Sequence, residues 1–400
     1  MNKKLHFQLL NIGHALDHYF ILIFPTVVLF LTDVWAMSYD DLLKIGSVGV
    51  FAYGAGALPS GWLADKYGRH PMMVAFFIGI GVSSIMAGLT NTPTQLGIAL
   101  AFIGLFAAIY HPVGIPLVYE TPGKTGRLLA INGIAGNLGL AIAAMVTSYL
   151  AVTISWRAAF IFPGAISVIC GIVYDIKFSR AKSGQHVTKK EPNLSMPGKG
   201  GMVLVFGCIV LIATCGGLVF NSITTALPKV LTEEPLLKDI SLESIGTIAT
   251  AIFVLASSTQ LVIGELMERM KVQYLLAILA FTQIVTLLLA ASSESSIFFL
   301  TVLLFATFGQ IPVNDWLTGR FSTKKWRSRF FAARYTLGLG VSSVAYWLIA
   351  LIYAEGNGFS LLFQTLGLVM VPAFSCALIL IFAISKIDKK HEEKIALNES

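Results

Sequence analysis

Residues 61–70 read GWLADKYGRH. An acid, Asp65, and three bases, Lys66, Arg69 and His70, crowd into ten residues, and on each side the chain turns apolar for about the 20 residues a membrane helix needs. A short charged turn between two such runs is a helical hairpin in lipid, because an unpaired backbone is not tolerated there. The same alternation fills all 400 residues. The chain is 56% hydrophobic and only 12% charged, against about a quarter charged in a soluble domain. The apolar runs are continuous rather than alternating, which argues for α-helices and against barrel strands. Twelve spans are expected, at 8–31, 42–63, 71–90, 94–118, 128–151, 156–177, 202–227, 243–264, 273–292, 296–319, 329–353 and 360–385.

The positive start MNKKLHFQLL resembles that of a signal peptide, but no small-residue cleavage site follows, and the first apolar run carries His and Asp. It is read as a retained first span. Cys170, Cys208, Cys215 and Cys376 all fall within expected spans, so they pack as small apolar residues and imply no disulfide framework. The stretch 178–200 is the one long polar connector, rich in Pro, Gly and Ser. It divides the chain into a six-helix bundle at 1–177 and another at 201–385, with a tail at 386–400. Protease cleavage within 178–200 is expected to leave two bundles that still co-purify; resistance to cleavage counts against this division.

Twelve spans put both termini on one side. Of the 28 Lys and Arg residues, all but Lys44, Arg157, Lys229 and Lys238 fall on that side. The positive-inside rule makes it the cytoplasm of a multi-pass inner (plasma) membrane protein. The net charge of +7 is thus a topology signal that also suits anionic headgroups and calls for no nucleic acid.

The halves echo each other. YHPVGIPLVYETPGKTGRLLA (110–130) faces QIPVNDWLTGRFSTKKWRSRFFA (310–332), with Pro112 opposite Pro312, Lys124 opposite Lys324 and Arg127 opposite Arg327; GWLADK (61–66) faces GELMER (264–269). Two weakly similar halves are the mark of a transporter whose site lies between them near the midplane.

The pattern G-x-L-A-D-K-x-G-R, carried by Gly61, Asp65, Lys66, Gly68 and Arg69, together with WRAAFIFPG (156–164), resembles the major facilitator superfamily. That resemblance implies two pseudo-symmetric six-helix bundles, a cavity lined by spans 1, 4, 7 and 10, and rocker-switch alternating access. It also implies that the loop acid, Asp65, latches the bundles in the outward-facing state. In the first half, GHALDHYFILIFPTVV, YHPVG and NGIAGNLGLAIAA are similar to the fosmidomycin-resistance branch of efflux proteins. The Arg that drug antiporters carry in span 4 would fall near Leu100, and span 5 has Gly133, Gly136 and Gly139 but no proline.

His14, Asp17 and His18 stand inside the first span. At 100° per residue, His18 lies about 40° and Asp17 about 60° from His14, so all share one face, flanked by Asn11. Ile12, Leu16, Tyr19 and Phe20 take the rest. His14 is about 9 Å from one end of span 1 and His111 about 10 Å from the same side of span 4, so the two are level. Buried ionisable groups cost energy and usually face a cavity or a partner. Three readings are open. The imidazoles hold helices together; or the cluster loads and releases a proton, since His titrates near neutrality; or His14, Asp17, His18 and His111 bind a divalent metal.

Asn137, Asn221, Gln260, Gln310, Asn314 and Asp315 are further polar groups within spans, suited to substrate or to helix contacts. Arg334 lies one turn inside span 11, where it either pairs with Asp315 or snorkels to the surface. No nucleotide loop or nucleophile elbow is present, so no enzyme is expected. The expectation is a monomeric secondary transporter without cofactor that exports a small polar or amphiphilic compound against a proton gradient. The alternatives are movement of a divalent metal, a metal chelate or an organic acid, and a non-transporting sensor of the same fold.

Overall fold

The computed structural model describes residues 3–123, 125–178, 199–321, 327–356 and 358–399; at 125–126, 199–200, 327–335, 339 and 390–399 only the backbone is described. Almost all of the expected linker 178–200, Lys124 and the side chain of Arg334 therefore lie outside the described residues. Thirteen helices follow in order: α1 (Lys3–Trp35), α2 (Tyr39–Tyr67), α3 (Arg69–Gly88), α4 (Pro93–Ala107), α5 (Tyr110–Glu120), α6 (Thr125–Thr153), α7 (Ala158–Phe178), α8 (Lys199–Glu233), α9 (Leu242–Arg269), α10 (Val272–Ser292), α11 (Ile297–Arg320), α12 (Arg327–Ala354) and α13 (Gly358–Glu399). Twelve passes result, each long and apolar enough to cross a membrane, because α4 and α5 cross together.

The helix ends follow local chemistry. Ser38 caps α2 by accepting from the Asp41 amide, Thr92 caps α4 ahead of Pro93, and Ser241 caps α9. Between α2 and α3 stands Gly68 at φ 93°, a conformation that favours glycine, and its amide closes the last turn of α2 on the Ala64 carbonyl.

Two departures from the expected spans have plain causes. The fourth span is two helices, broken at Ala108–Ile109. Pro112 has no N–H for the Ala108 carbonyl, and its ring crowds that turn. The matching Pro312 leaves α11 unbroken; there Pro312 stands alone, whereas α5 adds Pro116 one turn on. The twelfth span lies at Gly358–Lys389, and its helix α13 continues through the expected tail to Glu399.

Small residues let the helices touch. A Cβ on Gly104 of α4 would lie 1.9 Å from the Gly49 carbonyl oxygen of α2, and one on Gly139 of α6 would lie 1.9 Å from the Ala15 oxygen of α1. Serines tie the rest of the first half: Ser84 donates to Phe160 and Ser167 to Phe77, each at 2.7 Å.

The halves meet along α2–α12 and α6–α9, and at the end away from the termini these contacts are tight. Tyr39 and Tyr353 stack edge to face at 5.2 Å, and Lys229 lies over both rings. Glu233 accepts from the Tyr353 hydroxyl at 2.6 Å and pairs with Lys229 at 3.1 Å. Thr250 of α9 donates to the Ala141 carbonyl of α6 at 2.7 Å, and deeper along the pair Asn137 donates to Gln260 at 2.9 Å. Nearer the termini end, Gly133 of α6 and Gly264 of α9 have open space where a side chain would be.

This seal makes a prediction. Lys229→Glu sets two acids against each other beneath Tyr39 and should spring the far end. In that background, a cysteine at Ser47, buried close to the seal, should label several-fold faster with a membrane-impermeant thiol reagent. Unchanged labelling would remove Lys229 from the seal.

Candidate functional site

Helix α1 runs through the middle of the first half and is the most buried of the spans. Its polar face meets α5 and α6. His14, 7% exposed, bonds through Nδ1 to the Asn132 carbonyl of α6 at 2.8 Å. A carbonyl only accepts, so Nδ1 carries the proton and Nε2 is left as an acceptor. The His18 Nε2 lies 3.2 Å from that Nε2, so His18 is the donor between them.

Asp17 is fully buried. One carboxylate oxygen accepts from the Tyr53 hydroxyl of α2 at 3.1 Å and lies 3.3 Å from the His111 Nε2 of α5. The other, Oδ1, has no hydrogen-bond partner among the described residues. The three imidazoles gather with centroids 4.9 Å (His14–His18), 5.3 Å (His14–His111) and 5.6 Å (His18–His111) apart. Their ligand nitrogens all lie within 4.8 Å of one another.

A second layer holds them. Tyr110 stacks on His14 at 4.8 Å and donates to the Leu10 carbonyl at 2.8 Å. The Asn132 amide donates to Asn11 at 2.9 Å and to the Tyr110 hydroxyl at 3.0 Å. Gly136 of α6 lies under the His14 ring, where a Cβ would sit 2.8 Å from it.

The structure thus brings His14, Asp17, His18 and His111 together, with Asn11 at their edge. Sequence reasoning missed Asn132, Tyr110 and Tyr53. Asn132 sits four residues before Gly136 in the glycine-rich stretch and Tyr110 directly precedes His111, so both stand beside recognised residues. Tyr53 carries no such signal.

The second-half residues do not join this cluster. Asn221 of α8 accepts from Ser342 of α12 at 2.8 Å. Gln310 of α11 accepts from Gln283 of α10 at 2.5 Å, and Asn314 lies buried one turn on. Asn137 and Gln260 join the halves as described. Asp315 is half-buried.

In the 61–70 loop, Asp65 and Lys66 are exposed, and Lys66 lies over the Trp62 and Tyr67 rings at 5.1 Å each. Arg69 forms an ion pair with Glu120 at the end of α5, and His70 meets Asp175 of α7 at 3.1 Å. Gly61 faces Pro112 across ordinary van der Waals distance. These contacts all stay within the first half.

Two helical bundles with ionisable groups buried among their helices define a membrane protein of the transporter architecture. The model of the Major Facilitator Superfamily matches residues 12–236, more than half of the chain, and the chain belongs to that family. It is 30% identical over 146 residues to the 4-hydroxybenzoate transporter PcaK of Pseudomonas aeruginosa, covering 36% of this chain and 32% of that one. It is 28% identical over 192 residues to the multi-drug resistance efflux pump PmrA homolog of Lactococcus lactis, covering 46% and 47%. The alignments span about a third to a half of the length of these relatives. Among solved structures, a D-xylose-proton symporter superposes with a TM-score of 0.74 at 14% identity, covering 93% of this chain and 96% of that one. A bacterial homolog of the human lysosomal transporter Spinster, inward-facing and unoccupied, superposes with a TM-score of 0.72 at 11% identity, covering 96% of each chain. These two show the fold, and it is the twelve-helix, two-bundle fold expected.

Proposed function

We propose that this chain is a secondary transporter that exports a small molecule by alternating access, driven by the proton gradient, with the α1–α5 cluster as its coupling site. The observation that carries the reading is Asp17: fully buried, held by Tyr53 and His111, with one oxygen left over. A lone charge at membrane depth costs about 2.5–3.5 kcal/mol on insertion scales. Such a group is retained where its charge changes during work. A carboxylate one hydrogen bond from an imidazole passes a proton without leaving its place.

The termini end is read as cytoplasmic on the distribution of Lys and Arg. The tyrosine–lysine seal is then read as closing the outer side. The named efflux pump among its relatives supports export; the named 4-hydroxybenzoate transporter makes an organic acid the competing cargo. Flux in proteoliposomes under an imposed pH gradient, run against antibiotics and organic anions, tests both. Proton-driven movement of any of these from the termini side outward supports export, and inward movement reverses it. Flux indifferent to the gradient removes proton coupling.

In this reading Asp65 is the latch of the opposite, outward-facing state, which fits its exposure here. Asp65→Asn should insert and fold normally yet transport at least about tenfold more slowly, a loss of roughly 1.4 kcal/mol in the conformational cycle. Wild-type rates would exclude the latch.

A further inference from the structure

The geometry points to a transition-metal site made by His14, His18 and His111, and we propose that the transported species is a divalent ion of the zinc class, free or chelated. This rests on the reading of the cavity as a transport pathway and names its cargo.

Three features of the cluster bear on this. The first is spacing. Zinc–imidazole bonds of about 2.0–2.1 Å set neighbouring nitrogens of a tetrahedron about 3.3–3.4 Å apart. The His14 and His18 Nε2 atoms already stand at 3.2 Å. Residues four apart on one helix face supply such a pair without strain, and the third nitrogen lies within 4.8 Å of both, a gap that side-chain rotation closes.

The second is orientation. Metal-bound histidines almost always give their other ring nitrogen to a carbonyl or a carboxylate, which fixes the tautomer. His14 does this with the Asn132 carbonyl at 2.8 Å, and His111 does it with Asp17 at 3.3 Å. That leaves His14 Nε2 as a ligand atom facing the other two rings. The Tyr53 hydroxyl in turn holds Asp17, so the support reaches one shell further.

The third is access. His18 is half-buried, and the side chain of His111 is 12% exposed. Three protein nitrogens leave a fourth position for water or for a donor atom of a chelator. Such a site binds and releases, unlike the closed four-ligand sites that hold structural zinc. Three nitrogens and no thiolate favour Zn2+, Co2+ and Ni2+ over Mg2+ and Ca2+, which take oxygen.

The test uses the full chain, purified and reconstituted. Titration with Zn2+ should show one ion per chain, no displacement by excess Mg2+ or Ca2+, and visible absorption of a tetrahedral ion when Co2+ is used instead. His14→Gln, His18→Gln and His111→Gln should each weaken Zn2+ binding by more than the roughly 10–100-fold that loss of an outer-shell partner costs. His18→Gln, at the half-buried position, guards against a variant that simply misfolds. The same vesicles should carry radioactive zinc, and the triple-glutamine variant should not. Zn2+ binding no tighter in the wild type than in the triple variant overturns the site. Binding without zinc movement overturns the cargo. Proton-driven flux of an organic compound with no zinc effect sinks this inference and leaves the proposed function standing. Zinc flux indifferent to a pH gradient does the reverse.

Discussion

Asp17→Asn should abolish accumulation against a gradient while leaving exchange of substrate across the membrane. The substitution keeps size and hydrogen-bonding capacity, so the Tyr53 hydroxyl retains an acceptor. What is lost is the one group in the cluster that is both fully buried and able to carry a full negative charge. Uphill movement needs a protonation that differs between the two faces, and an amide has none to offer. The expected loss is at least tenfold in gradient-driven flux, about 1.4 kcal/mol or more of coupling, with counterflow within a few-fold of wild type. A pH-sensitive dye in the vesicle lumen reads proton movement in the same experiment. Uphill accumulation by Asp17→Asn would leave the cluster as a helix-packing device.

Gly139→Val should remove folded protein, whereas Gly133→Val, six residues earlier on the same helix, should be tolerated. At Gly139 a first side-chain carbon already falls 1.9 Å from a main-chain oxygen of α1, so the two helices must part. Overpacking typically costs about 1–3 kcal/mol where side chains can yield; here the obstacle is backbone, and the cost lies at or above that range. At Gly133 nothing lies within 4 Å. Size-exclusion profiles and thermal unfolding of the two variants decide it. Equal stability would mean that α1 and α6 are not packed as described. Gly136→Ala is a milder companion. Its new methyl meets the His14 ring rather than backbone, so it should disturb the cluster more than the fold.

Much of this was legible in the sequence, and for a physical reason. Membrane helices announce themselves by length and apolarity, and the helix period alone puts His14, Asp17 and His18 on one face. The match in depth to His111 followed from a constant rise per residue. What escaped was set by tertiary contact. Tyr53 reaches Asp17 from another helix, and nothing local distinguishes it from its neighbours. Asn132 meets His14 through its main-chain carbonyl, which every residue has, and its side chain bridges Asn11 and Tyr110 on two other helices. Gly136 and Gly139 were visible as a stretch similar to a family pattern, but their purpose, to let α6 lie against α1 and the His14 ring, is known only from the packing. Pro112 was read as one half of a repeat. That it severs span 4 while Pro312 leaves α11 whole is seen only in the folded chain.

The break at Ala108–Ile109 divides span 4, whereas its counterpart α11 is continuous. Pro112 forgoes the ladder bond to Ala108, and the amides of Ala108, Ile109 and Val113 bridge the break through the carbonyls of Gly104, Phe106 and Ile109. His111 is thus mounted on a short lever of 11 residues, while His14 and His18 ride on an unbroken rod of 33. One wall of the histidine nest stands on a helix cut short by proline chemistry and the other on a continuous one, so the near-symmetric halves of this protein differ where the nest is built.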